Sequence, residues 1–163
     1  MITSKEIIER LKKSTGYDNK KAGILFQRFI KKFLQLDTYW SNRFEKVWNW
    51  NEYPQRGNRI DTGIDLVAQD REGNLWAIQV KFHESSKIDH NEVSKFIATA
   101  TPQEFNKRLF IAVGDFTQIA LETLKNNEVE ILTFENIVQD YNIDWALFNW
   151  GKNQKTLKLF LKK

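Results

Sequence analysis

Three polar side chains stand inside otherwise apolar sequence: Asp65 in GIDLVAQ (63–69), and Gln79 and Lys81 in LWAIQVKF (75–82). Both segments are rich in β-formers, and the DREGN between them is a turn in which Gly73 suits a positive φ, so the pair predicts a hairpin. With the turn centred on Glu72, Asp65 lies opposite Gln79. Side chains alternate along a strand, which places Asp65, Gln79 and Lys81 on one face and Ile64, Leu66 and Ala68 on the other. A lone glutamine or lysine in a strand ordinarily points to solvent. Here the apolar flanks put the trio in a central part of a sheet. A carboxylate and an amide oxygen are hard ligands suited to Mg²⁺, and a lysine beside them can position a water or help deprotonate it. That set suits hydrolysis of a phosphodiester. The plainer alternative is a buried hydrogen-bond network with no chemistry.

The elements that must hold this trio are legible on either side. Thr3 with Glu6 is a capping-box pattern opening a helix to Lys13, with Ile7, Ile8 and Leu11 in one apolar stripe. Asp18 or Asn19 caps a longer helix to Leu36, with Ala22, Leu25, Phe26, Phe29, Ile30 and Phe33 at helical spacing. Residues 43–50 read as a strand with Phe44, Trp48 and Trp50 on one side. The segment 51–62 is rich in turn formers and charge. After the hairpin, Asp89 and Glu92 form another capping box, and Val93, Phe96, Ile97 and Ala100 face inward. Leu109–Val113 is a continuous apolar run of the kind expected in a buried strand. A helix over 117–126, a strand over 129–134 and a helix from Glu135 complete the pattern. The order predicts an α/β sandwich, a central mixed β-sheet flanked by helices. The six tryptophans read as core, especially Trp48, Trp50 and Trp76.

Composition bounds the rest. The 163 residues, 41% hydrophobic and 13% aromatic, are one domain's worth with material for a proper core. The absence of cysteine excludes disulfides and thiolate zinc sites, and the two histidines, His83 and His90, have no zinc spacing. His83 follows Lys81 on the same face and reads either as a strand-end surface residue or as a phosphate contact. No apolar run is long enough to span a membrane, so a cytoplasmic location without membrane contact is expected. Net charge is +4, with nine Lys/Arg against three acids in residues 1–36 and five lysines without an acid in 152–163. Basic ends around an acidic middle suit phosphate contact at the edges and a cation in the centre; solvated helix faces explain them as well.

Asp65, the turn, and Gln79-Val80-Lys81 resemble the D…(E/Q)xK signature of the PD-(D/E)xK nucleases. In the longer context DTGIDLVAQDREGNLWAIQVKF, the sequence is similar to Mrr-like restriction nuclease domains, as at the N-terminus of Type ISP helicase-containing restriction enzymes. The resemblance covers about residues 20–144 and implies a restriction-endonuclease-like fold and a Mg²⁺-dependent endodeoxyribonuclease, with Mn²⁺ able to substitute. It implies Asp65, Gln79 and the Val80 carbonyl as metal ligands, Lys81 as the catalytic lysine, DNA as substrate, and helicase and methyltransferase domains in the same parent chain. On this basis residues 1–141 form the nuclease domain and 142–163 a linker or docking segment leading to a helicase domain. Two positions are possible accessories. Gln27 matches a helix position where family members often carry a glutamate, and it reads equally as a partly buried surface residue. Asp61 either adds charge to the metal site or is a turn residue of DTG. Because Gln27 and Gln79 are neutral, Asp65 alone brings full negative charge to the expected ligand set. A weak or inactive, DNA-binding form of the module is therefore the second reading, and a protein-interaction domain the third.

Overall fold

The computed structural model describes residues 2–59, 63–83, 86–101 and 104–150. Helix α1 (Ser4–Ser14) starts at Thr3, whose hydroxyl accepts the Glu6 N–H. Helix α2 (Asn19–Leu36) starts at Asp18, whose carboxylate accepts the N–H groups of Lys20 and Lys21. A six-residue helix that sequence periodicity does not reveal, α3 (Thr38–Arg43), follows at once and is capped by Asp37. It is too short for an amphipathic repeat, and Trp40 is its one buried residue.

Five strands follow in one sheet: β1 (Phe44–Asn49), β2 (Leu66–Asp70), β3 (Leu75–Phe82), β4 (Lys107–Val113) and β5 (Glu130–Thr133). Their spatial order is the chain order; β1, β2 and β3 pair antiparallel, whereas β3, β4 and β5 pair parallel. Helix α4 (His90–Thr99) makes the crossover from β3 to β4, α5 (Gln118–Asn126) that from β4 to β5, and α6 (Phe134–Asp140) follows β5. The expected helix-flanked mixed sheet is therefore the observed fold. Among the described residues, no helix is long and apolar enough to cross a membrane.

Each face of the sheet carries its own core. On one, α1, α2, α3 and α6 bury Leu11, Phe26, Phe29, Phe33 and Phe134 against Leu66, Trp76, Ile78 and Ile111. On the other, α4 and α5 bury Val93, Phe96, Ala120 and Leu124 against Val67, Ala77, Phe110 and Ala112. Each fully buried aromatic or branched side chain contributes about 1.5–3 kcal/mol, so both layers are firmly attached. The stretch from Asn142 docks on the first core: Ile143, Trp145 and Trp150 are buried, and the Trp150 indole N–H donates to the Ile7 carbonyl at 3.0 Å. This core thus runs past residue 141, because three large apolar side chains after it find partners on α1, α2 and α6.

Two face assignments differ from the sequence expectation. Phe44 and Val47 pack in the first core, but Trp48 and Trp50 pack in the second, because the β1–β2 register shifts between Phe44 and Lys46. A bulge of this kind turns the following side chains over. Ile64, expected with Leu66 and Ala68, lies instead in the second core. Gly63 has φ +75° and β2 begins only at Leu66, so strand alternation does not extend back to Ile64.

The hairpin turn is fixed by Asp70. Its buried carboxylate accepts the N–H groups of Glu72 and Asn74, the Asn74 amide and, at 3.0 Å, the indole N–H of Trp76. Burial alone pushes this carboxyl up, but the hydrogen bonds, with that of Trp76 foremost, outweigh it and hold the group below the usual 3.8. Asp70→Ala leaves the buried Trp76 N–H without its acceptor and is expected to cost about 2–4 kcal/mol in denaturant unfolding. The depressed carboxyl stabilises the fold fully above its unfolded value, and that contribution is lost as pH falls through the lower folded value. The difference between wild type and Asp70→Ala should therefore be constant near neutrality and shrink below about pH 4. A difference unchanged down to pH 2 would remove this account of the turn.

Candidate metal and phosphodiester site

The hairpin register is centred on Glu72: Leu66 pairs with Ile78, Val67 with Ala77 and Ala68 with Trp76. The backbone ladder ends with the Asp65 N–H donating to the Ile78 carbonyl at 3.0 Å. Beyond it, the Asp65 side chain takes over. Its Oδ2 accepts the Val80 backbone N–H at 2.8 Å and the Gln79 side-chain amide at 3.0 Å. Gln79 is only 8% exposed, and Asp65 and Lys81 are half-buried. A strand residue directs its N–H and C=O to the same side, so the Val80 carbonyl also leaves β3 toward the Asp65 edge.

This donor set fits a hard cation. Rotating the Gln79 amide by half a turn places its oxygen where its nitrogen now lies, 3.0 Å from the Asp65 oxygen. Two neighbouring ligands on an octahedral Mg²⁺, each about 2.1 Å from the ion, are about 3 Å apart. Among the described residues, no three His, Cys, Asp or Glu side chains gather into a conventional metal cluster. One carboxylate, one amide and one backbone carbonyl instead suit an ion that keeps several waters.

Lys81 is two residues along β3 from Gln79, and α4 closes over it. Glu92, in the first turn of α4, brings Oε2 to 3.8 Å from Lys81 Nζ and Oε1 to 3.2 Å from His83 Nε2. The Asp89–Glu92 capping box fixes that carboxylate, since Glu92 Oε1 also accepts the Asp89 N–H while Asp89 accepts the Glu92 N–H. Sequence reasoning identifies Glu92 only as a cap; its position one helical turn into the element after QVKFH was the available signal. The strand ends are drawn tight here. The His83 N–H donates to the Val113 carbonyl, and a Cβ on Gly114, which has φ +120°, would come within 2.3 Å of the His83 carbonyl oxygen. Only glycine meets both demands.

The chain approaching Asp65 is pinned from the other side. Arg59 forms a two-pronged ion pair with Glu104 and lies over the Trp50 ring, while the Tyr53 hydroxyl donates to Glu104 at 2.9 Å. Burial, then the Glu104 carboxylate, raises the Tyr53 phenol to about 12. The Trp50 N–H donates to the Asp65 carbonyl, tying the end of β1 to the site. Tyr53 and Arg59 lie in the segment 51–62, expected only to be turn-rich and charged.

Gln27 is half-buried on α2, beside Phe26, whose ring stands 5.9 Å from that of Phe82. Among the described residues, no hydrogen bond joins it to Asp65, Gln79 or Lys81. Asp61 lies outside the described residues.

Residues 35–155 match the Mrr-type catalytic domain of restriction endonucleases. The chain belongs to this restriction endonuclease family. Its fold is similar to part of the ATP-dependent Type ISP restriction-modification enzyme LlaBIII, solved bound to DNA, with TM-score 0.70 and 24% identity over 91% of this chain and 9% of that one. It is also similar to the DNA modification-dependent restriction endonuclease AspBHI, with TM-score 0.54 and 15% identity over 83% of this chain and 34% of that one. The restriction endonuclease domain in hand thus spans about a tenth of the first and a third of the second. Comparison with curated proteins gives no match.

The Asp65–Gln79 contact makes position 79 a direct test of the metal site. Gln79→Glu sets a second carboxylate against Asp65 in place of a donated N–H, and without metal it is expected to cost about 1–2 kcal/mol. With Mn²⁺ its melting temperature should rise by more than that of wild type, because a ligand of the folded state alone stabilises it. Gln79→Ala should lose most Mn²⁺ affinity in titration calorimetry. Wild-type affinity in Gln79→Ala would show that position 79 holds no metal.

Proposed function

We propose that this domain hydrolyses DNA phosphodiester bonds with Mg²⁺, or Mn²⁺ in its place, as the nuclease module of a larger restriction-modification enzyme. The observation that carries the reading is the convergence of Asp65, Gln79 and the Val80 peptide at the end of the β2–β3 ladder, with Lys81 next along β3. Asp65, the Gln79 amide oxygen and the Val80 carbonyl would hold the cation. When bound, it supplies positive charge to the scissile phosphate and acidifies a water. Lys81 directs its ammonium group toward the reacting phosphate, where it orients the attacking water and offsets charge growing on the phosphoryl oxygens. Apolar cores on both sheet faces hold these groups on β2 and β3 with little freedom to drift.

The small share of LlaBIII that this domain covers supports the larger context. An ATP-dependent restriction-modification enzyme also needs a motor and a modifying activity, and helicase and methyltransferase domains of the same parent chain are the proposed partners. Target selection would then reside outside this domain, with its own DNA contacts dominated by phosphates and weakened by salt. A second reading, a module that binds DNA and cuts weakly or not at all, is favoured by one observation: the proposed ligand set contains a single formal negative charge, on Asp65.

Nicking of supercoiled plasmid with Mg²⁺ or Mn²⁺ decides between them. Wild type should nick, and folded Asp65→Ala and Lys81→Ala proteins should each be at least about a hundredfold slower. Equal nicking by all three would end the nuclease assignment to this site; DNA binding without nicking by wild type would leave the second reading.

A further inference from the structure

We infer that Glu92 is a positioning residue for hydrolysis, holding the Lys81 ammonium and the His83 imidazole side by side so that both face the substrate phosphate. The inference rests on the nuclease reading above and adds two residues to it. Lys81 and His83 alternate onto the same face at the end of β3, and the first turn of α4 places one carboxylate between them. Glu92 Oε2 lies toward Lys81, whereas Oε1 receives His83 Nε2 and the Asp89 N–H. The opposite nitrogen of His83, Nδ1, sits 2.8 Å from the Ser86 carbonyl oxygen and 3.3 Å from the Ser86 hydroxyl, which can donate to it, so Ser86 meets the other end of the ring in either tautomer. That segment is in turn anchored to the end of β4: the Ile88 N–H donates to the Asp115 carbonyl and the Thr117 N–H to the Ile88 carbonyl.

The folding role of Glu92 does not require its charge. Glutamine serves equally at the third position of a capping box, accepting the same backbone N–H. An ion pair at 3.8 Å between side chains 34% and 23% exposed also adds little to stability. What the negative charge does, and glutamine could not, is hold a flexible four-carbon ammonium in one orientation beside Gln79. A lysine that must meet a reacting phosphate gains from that restraint, since a displacement of about 1 Å can cost a hundredfold in rate. His83 then offers its ring as a second phosphate contact, one strand repeat beyond Lys81.

The test compares wild type with Glu92→Gln and Glu92→Asp, using Asp65→Ala and Lys81→Ala as controls. Glu92→Gln should keep its melting temperature and its Mn²⁺ affinity while the maximal nicking rate falls about ten- to a hundredfold with little change in KM for DNA. Glu92→Asp, which keeps the charge, should recover part of that loss. Independently of cleavage, an amine-acylating reagent read by mass spectrometry should label Lys81 several-fold faster in Glu92→Gln than in wild type. Unchanged labelling overturns the Glu92–Lys81 restraint. Faster labelling with an unchanged nicking rate shows the contact to be structural only and overturns the inference while the nuclease reading stands. Absence of nicking by wild type removes both together, whatever the labelling.

Discussion

The Asp65 carboxylate joins two strands at the point where their backbones stop pairing. The β2–β3 ladder closes with the Asp65 N–H on the Ile78 carbonyl, and the next inward-facing amide on β3, that of Val80, has no β2 backbone to meet. Gly63, with φ +75°, precedes the strand and lies outside the β2–β3 register, which begins at Leu66. A buried N–H without an acceptor costs about 1–3 kcal/mol, and Asp65 Oδ2 at 2.8 Å removes that cost. In the proposed reading, the Asp65 carboxylate, the Gln79 amide and the Val80 carbonyl at this same point would hold the cation. The fold needs an acceptor at this point, and the proposed chemistry would need a carboxylate; Asp65 would serve both. The surrounding structure then concerns access and restraint: Trp50 and the Arg59–Glu104 pair fix the chain entering Asp65, and α4 covers the exit of β3.

The hairpin was the part most legible in the sequence, because its register follows from one glycine-containing turn and from period-two alternation between apolar flanks. The capped helices were legible for a similar reason: Thr3, Asp18 and Asp89 each precede an apolar stripe, and each accepts the backbone N–H groups expected of a cap. What escaped depends on single-residue geometry or on distant contacts. The bulge between Phe44 and Lys46 reverses which face Trp48 and Trp50 occupy, and no residue type announces it. Ile64 obeys the turn at Gly63 rather than the strand that follows. Arg59 and Glu104 are 45 positions apart, and nothing local pairs them. Glu92 carried a complete local explanation as a helix cap, which concealed its contact with Lys81 and His83. Of the candidate site residues, Asp65 and Gln79 stood out because they break an apolar pattern; the accessory candidate Gln27, half-buried on the margin of an amphipathic helix, breaks none.

Formal charge ties these particulars together. If Glu92 offsets Lys81, the edge formed by Asp65, Gln79, Lys81 and Glu92 carries one net negative charge, contributed by Asp65. A divalent cation there makes the edge positive by one, and a phosphodiester then brings it to neutrality. A glutamate at position 79 would hold the cation more tightly, but the loaded edge would already be neutral and would attract phosphate less. It would also stand against Asp65 at about 3 Å whenever the cation was absent, raising one of the two carboxyl pKa values and loosening the end of the hairpin. Glutamine avoids that repulsion, donates to Asp65 in the free state and can present oxygen in the loaded one. The cost is affinity for the metal. If other domains govern the encounter with DNA, as proposed, retaining positive charge for the phosphate is the more useful of the two, and a neutral residue opposite Asp65 accords with that balance.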